Sequence, residues 1–133
     1  MESSSGAANP EEFQLVLSPD TRAGWRARQA LKQRFADSLP PQTIIDLVAI
    51  VTELINNAVA HGPQKPITVT LVLGDETVRG EVADQGNPSA AIPEIAQGPA
   101  NGRHGLEVVD MLTSRWAVYE GSTHIWFELP RER

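Results

Sequence analysis

The sequence predicts a single α+β domain in which helices cover a mostly antiparallel sheet. Three features predict it. A long helix with one apolar stripe spans about residues 43–60; two alternating strands joined at Gly74-Asp75 follow it; and a second pair of strands closes the chain. Strands joined by short turns run antiparallel, and a helix with one apolar stripe must bury it against another layer. The 133 residues, 41% of them hydrophobic, suit one domain around one core.

The elements follow in order. Residues 1–11 are small and polar and read as a flexible arm, leaving 12–133 as the domain. Phe13-Gln-Leu-Val-Leu17 is a short apolar run that suits a strand. Ser18-Pro19-Asp20 then offers a hydroxyl cap, a proline with preset φ and a first-turn acid, so a helix is expected from there to about Asp37. It places Ala23, Ala27, Leu31 and Phe35 on one side and carries Arg22, Arg26, Arg28, Lys32 and Arg34, five of the 11 basic residues.

Pro40-Pro41 ends that segment, since neither residue continues a helix. In the next one, Ile44, Leu47, Val48, Val51, Leu54, Ile55 and Ala58 recur at helical intervals, and His61-Gly62-Pro63 stops it with a flexible residue and a breaker. Ile67–Leu73 alternates branched residues strictly and pairs with Val78–Asp84 as a hairpin. Residues 85–104 are rich in Gly and Pro and read as a long loop of the kind that is functional or mobile. A third helix from Leu106 to about Ser114 and the strands Trp116–Glu120 and Thr123–Leu129 complete the chain, with Trp116 and Trp126 packing in the core or on the sheet.

Composition removes several function classes. The chain is too short for a TIM barrel or a two-lobed protein kinase, and it has no cysteine, hence no disulfide, thiolate zinc site or cysteine nucleophile. A net charge of −6 lacks the basic footprint of a nucleic-acid-binding domain. No apolar run of about 20 residues is read as a membrane span. The N-terminus has no secretory pattern, so a cytoplasmic protein is expected.

Three groups of residues depart from ordinary structural usage. Glu53, Asn57 and His61 stand at i, i+4 and i+8 and project from one stripe beside the apolar one. A solvated helix face accounts for them, and so does an oxygen-ligand set for Mg²⁺. Asp84-Gln-Gly86-Asn-Pro88 ends a strand, with residues that any turn would also favour. Asn101-Gly102-Arg103-His104-Gly105-Leu106 leads glycines into a helix, an arrangement that suits anions but is weak alone. Walker and dinucleotide-binding glycine patterns are absent.

In this order, the three groups resemble the Bergerat-fold (GHKL) ATP-binding domain of gyrase, Hsp90, histidine kinases and MutL. The resemblance is closest to the stand-alone bacterial anti-sigma-factor serine/threonine kinases. Glu53-Leu-Ile-Asn-Asn57-Ala-Val-Ala-His61-Gly62 is similar to their N-box, and Gly105-Leu-Glu-Val-Val-Asp-Met-Leu and Ile125-Trp-Phe-Glu-Leu129 to later segments, over about residues 13–130. It implies an α/β two-layer sandwich, with helices on one face of a mixed, mostly antiparallel sheet and ATP held between helices and a lid.

The same resemblance implies roles. Asn57 would ligate Mg²⁺, and Glu53 would be the general base toward a Ser or Thr hydroxyl. Asp84 would accept a hydrogen bond from the adenine amino group, with Gly86 allowing close approach. Gly102 and Gly105 would wrap the phosphates, with His61, His104 and Leu106 beside the nucleotide; Arg103 is a further candidate for a phosphate contact. Pro88 takes a position that is glycine in many relatives, and the later glycines are spaced Gly-x-x-Gly rather than Gly-x-Gly.

The implied activity is ATP- and Mg²⁺-dependent phosphorylation of an antagonist protein by a homodimer that also sequesters a sigma factor, with no direct contact to nucleic acid or membrane. Two other readings stand beside it: an ATP-dependent binding switch without transfer, and a histidine-kinase-type catalytic domain acting on a separate chain. The basic first helix reads as a solvated face or as a docking face for an acidic partner.

Overall fold

The computed structural model describes residues 11–84, 94–95, 106–118 and 124–132. Gly86, Pro88, Gly102, Arg103, His104 and Gly105 lie outside the described residues. Strand β1 (Glu11–Leu17) is followed by helices α1 (Ala23–Phe35) and α2 (Pro41–His61), then by strands β2 (Ile67–Leu73) and β3 (Thr77–Ala83). Strand β4 (Glu94–Ile95), helix α3 (Leu106–Leu112), and strands β5 (Arg115–Val118) and β6 (Ile125–Pro130) complete the order.

The strands form one sheet in the order β1-β2-β3-β6-β5-β4. Every pairing among the described residues is antiparallel, which refines the expected mixed sheet. The physical reason lies in β6, which enters between β3 and β5 and runs against both. Strand β4 falls inside the stretch expected to be loop and pairs Glu94 with Val118 and Ile95 with Ala117.

Alternation along each strand separates two faces. Ile67, Val69, Leu71, Val78, Val82, Phe127 and Leu129 point into the core beneath the helices. Gly80 belongs to this inner row and pairs with Phe127. A Cβ there would stand 2.7 Å from Leu71 Cδ2 and equally close to Phe127 Cε2, so the missing side chain is the space that the Phe127 ring occupies.

On the outer face, the Trp126 ring lies between the guanidinium groups of Arg79 and Arg115, each 5.2 Å from its centroid. Arg115 also pairs with Glu128 at 3.0 Å. Trp116 is on the inner face, and its indole N–H donates to Asp110 Oδ1 at 2.8 Å. The two tryptophans therefore serve as sheet-face and core packing respectively.

Helix α2 is the core helix: Leu47, Ile50, Val51, Leu54, Ile55 and Ala58 are buried against α1, α3 and the sheet. Over one 18-residue window it reaches a mean hydropathy of 1.6, so by length and composition it is apolar enough to cross a membrane. That corrects the reading of no such run. Half of the window is buried inside the fold, where its apolar stripe forms the core.

Helix α1 starts later than Ser18-Pro19 suggested. Ser18 does not cap it; Asp20 accepts hydrogen bonds from the Arg22 backbone N–H at 2.9 Å and from Arg26 Nη1 at 3.1 Å. Those two contacts hold the Asp20 carboxyl below its ordinary value. At the other end of the chain, Arg131 reaches back to the interior: Nη1 donates to Gly74 O at 2.7 Å and Nη2 to Ser38 O at 3.3 Å. Thr43, fully buried in the first turn of α2, donates to the Arg131 carbonyl at 2.8 Å.

Candidate functional site

The last two turns of α2 carry the first group of predicted residues. Leu54, Ile55 and Ala58 are buried, and the helical period places Glu53 and Asn57 on the adjoining flank, where both are half-buried. A purely solvated face would leave them exposed. Neither oxygen set is surrounded by further acids: among the described residues no three His, Cys, Asp or Glu side chains gather. A cation at Asn57 would therefore have to complete its shell with ligand and water oxygens, which suits Mg²⁺ better than a protein-only cage. His61, the third member of the stripe, is exposed at the helix end.

Asp84 follows directly on β3 and is 1% exposed. Burying a carboxylate is costly unless donors reach it. The residue has interactions of its own, while Oδ2 is buried and accepts no hydrogen bond among the described residues. What brings Asp84 against α2 is Gly62. Its backbone N–H donates to Ala58 O at 2.8 Å and caps the helix. A Cβ on Gly62 would stand 2.5 Å from both Ala58 O and Asp84 Oδ2.

Gly62 therefore serves by its missing side chain. The helix stops at His61 as His61-Gly62-Pro63 suggests, but the φ of −85° at Gly62 is open to any residue, so glycine is needed there for clearance and not for backbone freedom. Gln64, with φ 64°, takes the left-handed conformation in this connection, and its amide donates to Val59 O at 2.7 Å.

Leu106, the first residue of α3, is buried, and α3 packs on α2. The structure thus sets Asp84 against the C-terminal end of α2, on whose flank Glu53 and Asn57 lie, and packs the start of α3 in the same core. The remaining predicted residues, Gly86, Gly102, Arg103, His104 and Gly105, fall outside the described residues. Sequence reasoning missed the clearance at Gly62; the one signal for it was a glycine one residue after His61, which a helix stop explained equally well.

This arrangement defines a class. Residues 18–128 match the histidine kinase-like ATPase domain family, and the chain belongs to that family. Among solved structures, it is similar to the crystal structure of the RsbU and RsbW domains of Rv1364c from Mycobacterium tuberculosis, at a TM-score of 0.66 and 22% identity. The match covers 92% of this chain and 32% of that one, so the chain spans about a third of its neighbour's length. The α+β sandwich expected from the sequence is the fold the two share. No curated protein matches the sequence.

Proposed function

We propose that the chain binds ATP with Mg²⁺ and phosphorylates a Ser or Thr of an antagonist protein, in a regulatory role that includes holding a sigma factor. The observation that carries the reading is Asp84: a buried carboxylate at the end of β3, set against the α2 terminus through the clearance at Gly62. A buried acceptor at the rim of the core, with polar oxygens on the neighbouring helix flank, suits a flat heterocycle carrying an amino donor and a charged tail. Membership of the ATPase family supports the same ligand.

The residues divide the work by chemistry. Asp84 accepts a hydrogen bond from the adenine amino group, which fixes the base against α2. Asn57 offers a neutral side-chain oxygen to Mg²⁺. Bound ATP·Mg²⁺ supplies the transferable phosphoryl group and neutralises its developing charge. Glu53, one turn before Asn57, takes the proton of the substrate hydroxyl at its carboxylate, directly or through one water. Leu106 closes the apolar side, the family pattern assigns Gly86, Gly102 and Gly105 to the base and phosphates, and Arg103 and His104 are further candidates beside the phosphates. A homodimer in the cytoplasm fits this reading.

Incubation with γ-labelled ATP, Mg²⁺ and a purified antagonist protein tests it. Label on a Ser or Thr of the antagonist that disappears with Glu53→Gln supports the kinase. Tight nucleotide binding without any label moves the reading to an ATP-dependent binding switch.

A further inference from the structure

The outer side of α1 differs in charge from the rest of the molecule. Residues 21–36 contain five cations and no acid, in a chain of net charge −6. Two of these cations are matched internally: Arg26 pairs with Asp20 at 3.1 Å, and Arg34 pairs with Glu11. Arg28 and Lys32 are exposed, one turn apart, and form no ion pair among the described residues. One turn before them Trp25 is 52% exposed, with the Arg22 guanidinium 5.7 Å from its ring centroid.

The helix cannot roll to hide that ring, because Ala23, Ala27, Leu31 and Phe35 already fill the core and Gly24 packs against Thr52 and Asn56 of α2. Trp25, Arg28, Gln29 and Lys32 thus form one outward stripe at i, i+3, i+4 and i+7.

We propose that this stripe docks an acidic helix of a protein partner. Trp25 is the apolar anchor, and Arg28 and Lys32 meet carboxylates spaced one helical turn apart. The proposal rests on the regulatory, partner-binding reading above and names the face that does the binding. Trp and Arg are the residues that concentrate binding energy at protein interfaces, and an exposed tryptophan on one stripe with Arg28 and Lys32 supplies both anchor and charge. A membrane surface is a poorer occupant, since an interfacial helix needs its apolar face free and that of α1 is in the core. Nucleic acid is poorer still, because the net charge of −6 repels a long polyanion.

A fluorescent synthetic helical peptide, with Glu at i and i+4 flanking a Leu, is the probe, read by anisotropy at low salt against the folded chain. Trp25→Ala is expected to weaken binding at least about fivefold and R28E/K32E at least about tenfold. Lys65→Glu, an exposed change in the α2–β2 connection, stays within about twofold. Equal affinity for Trp25→Ala and the unmodified chain overturns the proposal, as does R28E/K32E losing no more than charge change at Lys65 predicts. Tighter, Trp25-dependent binding to anionic vesicles or duplex DNA overturns the choice of occupant. Nucleotide titration of the same variants is unchanged if the proposal holds, so its failure is distinct from failure of the ATP reading.

Discussion

Gly62 and Asp84 are so close that one methyl group would separate them: a Cβ on Gly62 falls 2.5 Å from Asp84 Oδ2 and 2.5 Å from the Ala58 carbonyl. One of those neighbours is helix backbone and cannot swing aside. Gly62→Ala is expected to cost about 1–3 kcal/mol, the usual penalty for overpacking. Urea denaturation measures it, and nucleotide affinity should fall with it, because the strain is relieved by moving Asp84 or the end of α2.

Glu53 and Asn57 are neighbours on one flank of α2, and the proposed function gives them separable duties. Asn57→Ala is expected to abolish the Mg²⁺-dependent part of nucleotide affinity. Glu53→Gln should bind nucleotide as the unmodified chain does, yet slow transfer about 10²–10⁴-fold, the span of general-base catalysis. Comparing affinity with and without Mg²⁺ beside single-turnover labelling separates the two.

The outer sheet face carries a pH response. A ring N–H of His124 donates to Glu81 Oε1 at 2.9 Å, and this hydrogen bond is the main cause that holds the Glu81 carboxyl below its ordinary value of 4.5. The sign follows from linkage: the folded state binds the proton less readily, so the contribution is fully present above pH 4.5 and is lost as pH falls through the lowered value. His124→Ala should flatten that acid limb of a stability–pH curve. An acid limb identical to that of the unmodified chain contradicts the pairing.

Arg131 ties the β2–β3 turn to the connection before α2 through Gly74 O and Ser38 O. Arg131→Ala is expected to lower stability by about 1.5–3 kcal/mol, the range for charged hydrogen bonds. Lys at this position recovers less than half, since one ammonium does not reproduce a planar fork. Chemical denaturation of the pair checks both values.

The legible parts of the fold were those with a period. Ile67–Leu73 was readable because its alternation persists for the whole strand, and α2 because its apolar stripe runs for several turns. Strand β4 was not, since two residues among Gly, Pro and small side chains carry no period; only their pairing with Val118 and Ala117 makes a strand. Helix α1 starts later than Ser18-Pro19-Asp20 suggests because no side chain caps it; Asp20 instead accepts from the Arg22 N–H and from Arg26 in the turn that leads into the helix. In the site, the spacing of Glu53 and Asn57 exposed their shared flank. The burial of Asp84 was hidden, because its sequence context is that of a turn and its depth depends on where β3 ends relative to α2.

Whether Asp84 holds a nucleotide is tested most directly by calorimetric titration of the chain and its Asp84→Asn variant with a non-hydrolysable ATP analogue in Mg²⁺. The unmodified chain is predicted to bind, and the variant to lose at least about tenfold in affinity, as expected when a hydrogen bond to a charged acceptor is removed. No binding to the unmodified chain, or equal binding by the two, contradicts it.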